Sequence, residues 1–165
     1  YSLWVTDFSL HITIERTFNK VIDAPTYWKK IGWRPFDIPV MNGLYGPPEW
    51  VERLEQMTAY IQSRTRPDEY IYVSPNEPMY YYVFGRLNPT RFAFNQHAIT
   101  KKHRLDAVDK LKQLKPRFVV YSRDTWRLDN IPEEKSIPEI TDYIKENYRH
   151  ETSFGAIDIL IYKEE

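Results

Sequence analysis

From residue 48 onward, the hydrophobic positions of the chain alternate between a helical and an extended period. A helix is predicted to begin at Pro47-Pro48 and to end near Arg66-Pro67, because apolar residues recur there at helical spacing: Trp50, Leu54, Met57 and Ile61. Three more helices are predicted in the same way, over residues 77–84, 100–115 and 137–148. Short apolar runs between them predict four strands, over residues 70–73, 91–94, 118–121 and 156–162.

The first 43 residues are less regular. Phe8–Arg16 alternates apolar and polar residues and predicts a strand with one solvent-facing side. Thr17–Pro35 fits a long loop or a loop that holds a short helix, and Asn42-Gly43 predicts a turn. We therefore expect one α/β domain over residues 1–165, with a strand and irregular lead-in over 1–43 and an alternating core over 44–165.

Regular alternation of helices and strands is typical of the α/β class. We predict a three-layer sandwich with a mostly parallel, Rossmann-like sheet, in which the first and last strands could form an antiparallel edge. Ligands of open parallel sheets bind beyond the carboxyl ends of the strands. Here those ends are Ser74–Glu77 and Ser122–Asp124.

Composition excludes several classes of function. Lys plus Arg and Asp plus Glu number 23 each, so the charge balance argues against a nucleic-acid partner. Cysteine is absent, and the five glycines form no phosphate-binding loop, so we expect no nucleotide cofactor. His97, His103 and Asp106 lie near one helix start, but their spacing matches no metal motif and no metal is expected.

Two arginines around an Asn-Pro step form the strongest polar candidate: Arg86, Asn88, Thr90 and Arg91. In one interpretation the arginines lie on one exposed surface and bind phosphate or glycan, since guanidinium groups hold oxyanions bidentately. In the other they cap helix carbonyls or pair with Glu77 and Asp124. Glu77 itself could act as an acid or base, or its negative charge could simply interact favourably with the dipole at the helix start.

A series of short motifs extends this segment: Pro75-Asn76-Glu77-Pro78, Tyr80-Tyr81, Gly85-Arg86 and Asn88-Pro89-Thr90-Arg91. Together they resemble the C-terminal soluble part of polytopic membrane glycosyltransferases of the GT-C class, in the dolichyl-phosphate-mannose protein mannosyltransferase-like group. Gly46-Pro47-Pro48-Glu49 upstream and the run Phe118–Tyr121 downstream also fit. The resemblance spans roughly residues 44–162.

The resemblance implies an extracytoplasmic α/β domain, periplasmic or extracellular, of a hexosyltransferase that uses a polyprenyl-phosphate-linked sugar. Such a domain lacks the catalytic carboxylates, so the chain is expected to be inactive alone and to have no catalytic residue of its own. Its expected partners are the transmembrane part of the same polypeptide and a lipid-linked sugar or an acceptor glycan or protein. The residues that match the pattern are the recognition candidates: Asn76, Glu77, Tyr80, Arg86, Asn88, Thr90 and Arg91.

Two alternatives remain open from the sequence. The chain could be a stand-alone module that binds glycan or phosphate through Tyr80–Tyr82 and the arginines. It could also be a small free-standing α/β enzyme.

Overall fold

In the computed structural model, residues 24–123, 125 and 128–164 are described. The chain divides into one unit of residues 1–55 and another of residues 56–165, and the boundary falls within a helix. The predicted strand Phe8–Arg16 lies outside the described residues. The expectation of one domain, with its lead-in ending at residue 43, stays a prediction.

The first unit contains a two-stranded antiparallel pair. Its described elements are α1 (Ala24–Lys30), β1 (Arg34–Pro35), a 3₁₀ turn (Pro39–Met41), β2 (Tyr45–Gly46) and the start of α2 (Pro48–Gln62). The predicted turn is present, with Gly43 at φ +84°, where a side chain would be strained. The ring of Phe36 meets that of Trp50 edge-on at 5.0 Å, and β2 lies against both rings.

The second unit is a four-stranded sheet with helices. After the end of α2, its elements are β3 (Tyr72–Ser74), α3 (Met79–Phe84), α4 (Lys101–Leu114), β4 (Phe118–Ser122), α5 (Glu133–Ser136), α6 (Pro138–Asn147), β5 (Tyr148–Phe154) and β6 (Ile157–Tyr162), with 3₁₀ turns at Asn95–His97 and Leu128–Asn130. The strand order is β3-β4-β6-β5.

The α/β class is confirmed, but the mostly parallel, Rossmann-like sheet is wrong. Among the described strands of the sheet, β3 and β4 pair in parallel, whereas β6 pairs antiparallel with both β4 and β5. The error comes from β5, whose sequence YRHETSF has little apolar content and was not predicted as a strand. It is held by a hairpin with β6, which turns at Gly155 with φ +61°.

Helical side chains contact both faces of the sheet, as a three-layer arrangement requires. Tyr72 and Val119 share one face and pack in a buried cluster with Val108 of α4 and Ile140 of α6. On the other face, the ring of Phe118 lies 6.1 Å from that of Tyr60 in α2. The sheet is therefore covered where its central strand, β4, runs.

Two local predictions fail. Residues 91–94 form bends and not a strand. The spacing of Ser136 and Glu139 also predicts a capping box at the start of the last helix. This box does not form, because α6 begins at Pro138 and Ile137 occupies the position before it. Glu139 instead binds Arg104 of α4, with Nε to Oε2 at 2.5 Å.

Candidate functional site

The carboxyl ends of β3 and β4 lie side by side. Ser74 is in register with Tyr121, so the parallel strands end at the same edge, as predicted. A cis peptide bond joins Ser74 to Pro75, and the chain then enters α3 through Asn76 and Glu77. Asn76 is buried and Glu77 is half-buried, whereas Asp124 lies outside the described residues.

A buried asparagine that the sequence analysis missed organises this edge. Asn95 donates from Nδ2 to the carbonyl of Val73 at 3.0 Å, and its backbone N–H donates to the carbonyl of Pro75 at 3.2 Å. It closes the loop after Arg91 back onto the end of β3. No local pattern marks Asn95, because its role depends on a contact 22 residues away in the chain.

Several buried polar atoms at this edge have no hydrogen-bond partner among the described residues: Glu77 Oε2, Asn95 Oδ1, Gln96 Nε2 and Ser122 Oγ. Ser122 and Asn95 are 1% and 0% exposed. Buried polar groups normally have partners, which ordered water can supply. The edge is therefore polar in its interior as well as on its surface.

The three tyrosines of α3 have different environments. Tyr80 is buried and stacks on Phe84, with ring centroids 5.3 Å apart and planes inclined by 3°. The hydroxyl of Tyr81 accepts a hydrogen bond from the N–H of Val73 at 2.9 Å, and burial raises the pKa of Tyr81. Tyr82 is 66% exposed. Tyr82 is therefore the tyrosine of α3 that is most available for a surface contact.

Arg86 is buried and binds the ends of two helices. Its Nε and Nη2 donate to Oγ1 and the carbonyl of Thr65, each at 2.7 Å, and its Nη1 donates to the carbonyls of Phe84 and Gly85 at 2.9 and 3.0 Å. Burial lowers the pKa of Arg86, and the nearby carboxylate of Glu69 opposes that effect. The prediction that Arg86 lies on an exposed surface is wrong, and the helix-capping interpretation is confirmed for this residue.

Asn88 and Thr90 form a closed turn. Asn88 Oδ1 accepts from the N–H of Thr90 at 2.9 Å, and Asn88 Nδ2 donates to the carbonyl of Phe92 at 3.0 Å. Thr90 Oγ1 donates to the same carbonyl at 3.0 Å. These side chains fix the backbone around Pro89. This structural role explains why Asn88 and Thr90 flank Pro89 in the sequence.

Arg91 is the exposed arginine of the pair, with 61% of its side chain accessible. Its Nε lies 3.4 Å from Asp106 Oδ2, and its guanidinium lies over the ring of Phe92 at 4.9 Å. The predicted segment thus consists of a frame, made by buried Arg86 and half-buried Asn88 and Thr90, that presents Arg91. A role in ligand recognition for these residues, and for Asn76, Glu77 and Tyr80, stays a prediction.

In the described ranges, no three His, Asp or Glu side chains are arranged to hold a metal ion. His103 and Asp106 do share the start of α4, but Asp106 pairs with Arg91. None of the helices that the structure describes is both long and apolar enough to span a membrane.

No protein-family model and no curated protein matches this chain. Among solved structures, the fold is similar to the crystal structure of the C-terminal globular domain of oligosaccharyltransferase from Archaeoglobus fulgidus. The similarity covers 73% of this chain and 100% of that chain, at 15% sequence identity and a TM-score of 0.40. At this identity and TM-score the structural similarity is weak.

Proposed function

We propose that this chain is an accessory domain of a polytopic GT-C class glycosyltransferase, in the dolichyl-phosphate-mannose protein mannosyltransferase-like group. In this proposal the parent enzyme transfers a hexose from a polyprenyl-phosphate donor. The domain lies on the extracytoplasmic face, binds the transmembrane part of its own polypeptide and does not catalyse transfer alone. The lipid-linked sugar, or an acceptor glycan or protein, is the second partner.

The observation that carries the proposal is the way the motif residues fold. Gly85 takes a left-handed conformation at φ +62°, Arg86 uses most of its donors, and Asn88 closes a turn that needs a side-chain amide. Each position requires its own residue type, and all of them serve one loop, which begins beside Tyr70 and returns to the end of β3 at Pro75. The motifs therefore specify one definite loop structure. This argues against the view that the resemblance is a chance match of short sequence strings.

The exposed side chain of Arg91 is suited to a partner that carries phosphate or carboxylate. Arg91 has a planar, permanently charged guanidinium that can bind an oxyanion bidentately. Its exposed pairing with Asp106 is weak, because ion pairs in water contribute little net free energy. An oxyanion that displaced Asp106 would leave the frame made by Arg86 and Asn88 unchanged.

A transfer assay tests the proposal. The isolated chain and the parent membrane protein are each incubated with a polyprenyl-phospho-sugar and an acceptor peptide, and transferred sugar is counted. We expect transfer by the parent protein and none by the isolated chain. Turnover by the chain alone, at a rate similar to that of the parent, would show that it is a free-standing enzyme.

A second candidate function is a stand-alone binding module. It is favoured by two exposed side chains within residues 76–91, Tyr82 and Arg91. Heteronuclear NMR titration of the isolated chain with a short prenyl phosphate separates the two. Shifts confined to residues 82–91 that disappear in Arg91→Gln would support the module, with Lys110→Gln as the matched control for loss of an exposed cation. Unchanged spectra would leave the accessory domain as the simpler function.

A further inference from the structure

A second candidate site lies at the edge of the sheet where β3 and β4 begin. A cavity of about 610 Å³ opens beside Tyr70, which precedes β3, and beside Arg117, which precedes β4. The end of α4 and the end of β6 complete its wall through Lys115 and Tyr162. Its volume lies within the range of about 300 to 1,000 Å³ that is typical of small-molecule sites.

The wall of this cavity carries equal numbers of positive and negative side chains: Arg66, Lys115 and Arg117 against Asp68, Glu69 and Glu164. Arg66 is already paired, with Asp68 Oδ1 at 3.2 Å and Glu69 Oε1 at 3.2 Å. An anionic ligand would therefore meet carboxylates as well as the two remaining cations. The balance favours a ligand that is neutral but rich in hydrogen-bond donors and acceptors.

Two half-buried tyrosines, Tyr70 and Tyr162, add aromatic surface to the same wall. The ring of Tyr162 is held in place, because Tyr148 meets it edge-on at 5.3 Å. Tyrosine joins an apolar ring to a polar tip, so it contacts amphipathic ligands at a small cost in conformational entropy. A preorganised ring beside carboxylates and guanidinium groups suits the hydroxyl groups and the C–H faces of a sugar.

We propose that this cavity binds a neutral glycan of two or three sugar units. Sugar hydroxyls donate to the carboxylates of Asp68 and Glu69 and accept from Lys115 and Arg117, while an apolar sugar face contacts Tyr70 or Tyr162. The proposal goes beyond the accessory role described above and does not depend on it, since none of residues 76–91 lines the cavity.

The test is an NMR titration of the ¹⁵N-labelled chain with three probes: mannobiose, N,N′-diacetylchitobiose and inorganic phosphate. We expect at least one disaccharide to shift the amide signals of residues 69–70, 113–117 and 161–164, with a dissociation constant of about 1 to 10 mM. Phosphate is expected to bind more weakly than that disaccharide. No shift with either disaccharide up to about 20 mM, or tighter binding of phosphate, would overturn the proposal.

Variants locate the binding site. Tyr70→Ala should weaken disaccharide binding by about tenfold or more, and Arg117→Gln, which changes only an exposed side chain, provides a second test if Tyr70→Ala does not fold. The matched control is Tyr82→Ala, which removes an exposed tyrosine that does not line the cavity and should leave binding unchanged. Shifts confined to residues 88–91, or loss of binding in the Tyr82 variant alone, would contradict the cavity as the site while leaving the transfer assay unaffected.

Discussion

Two hydrogen bonds join the guanidinium of Arg86 to Thr65, from Nε to Oγ1 and from Nη2 to the carbonyl oxygen, each 2.7 Å long. Thr65 in turn donates from Oγ1 to the carbonyl of Ile61 at 2.6 Å. Thr65 follows the end of α2 and Arg86 follows the end of α3. The pair therefore links carbonyl groups at two helix ends that have no partner within their own helices.

Arg86 and Arg91 give a matched test of burial. Arg86→Met should lower the free energy of unfolding by about 3 kcal/mol, because it leaves buried carbonyls without donors. Arg91→Met removes the same chemical group from an exposed ion pair and should cost less than about 1 kcal/mol. Urea unfolding followed by far-UV circular dichroism measures both. Equal costs for the two variants would contradict the structural role of Arg86.

A double-mutant cycle tests the contact itself. Thr65→Val keeps the side-chain shape and removes the hydroxyl, so it should cost about 1 to 2 kcal/mol. In the Arg86→Met background the same substitution should cost about 1 kcal/mol less, because the two residues share hydrogen bonds. Additive costs in urea unfolding would mean that Thr65 and Arg86 act independently.

Alanine substitutions at Gly46 and Gly43 distinguish the cost of a steric clash from the cost of backbone strain. A Cβ on Gly46 would lie 2.8 Å from the Trp50 ring and 3.1 Å from the Phe36 ring, so Gly46→Ala should cost about 2 kcal/mol and alter the near-UV circular dichroism of the tryptophans. A Cβ on Gly43 meets open space, but at φ +84° Gly43→Ala should cost about 1 kcal/mol through strain. Its near-UV spectrum should match that of the wild type. An unchanged spectrum for Gly46→Ala would contradict the close packing of β2.

Glu139 should make stability depend on pH. Its hydrogen bond with Arg104 lowers the pKa of Glu139 in the folded state, so its contribution is complete above the unfolded value of about 4.3 and is lost as pH falls through the lower folded value. We expect Glu139→Gln to cost about 1 kcal/mol at pH 7, and this cost should become smaller as the pH falls below about 4.3 toward pH 3.

The matched control for that profile is Glu134→Gln. Glu134 forms an exposed pair with Lys145 at 3.4 Å, and its loss should change stability by less than about 0.5 kcal/mol at any pH. Unfolding free energies measured in urea from pH 3 to pH 7 give both profiles. A difference between wild type and Glu139→Gln that stays constant over this range would show that the carboxylate charge of Glu139 does not stabilise the fold.

Parts of the fold could be predicted because they depend on neighbours in sequence. The helix after Pro47-Pro48 follows from its apolar spacing, and α3 ends at Gly85 because a left-handed conformation costs glycine little. The strand at Phe118 follows from a run of apolar residues. At the candidate site, the same reasoning predicted the edge where β3 ends and singled out the polar residues around the Asn-Pro step.

The sequence did not reveal that Arg86 is buried and Arg91 is exposed. Arg86 and Arg91 look alike in the sequence, but Arg86 faces the ends of two helices and Arg91 faces solvent beside Asp106. The carbonyls that bind Arg86 include that of Thr65, 21 residues away. Asn95 was missed for the same reason, since its partner Val73 is distant in sequence.

The sequence by itself determined the α/β class, most helices and strands, and the loop around Pro89, because hydrophobic period, helix ends and turn residues act over a few neighbouring positions. Only the tertiary structure decided the direction of the strands, the pairing of the polar strand β5 with β6, and which arginine is buried. Strand partners and burial depend on contacts between distant residues, and a sequence pattern with a local period does not specify them.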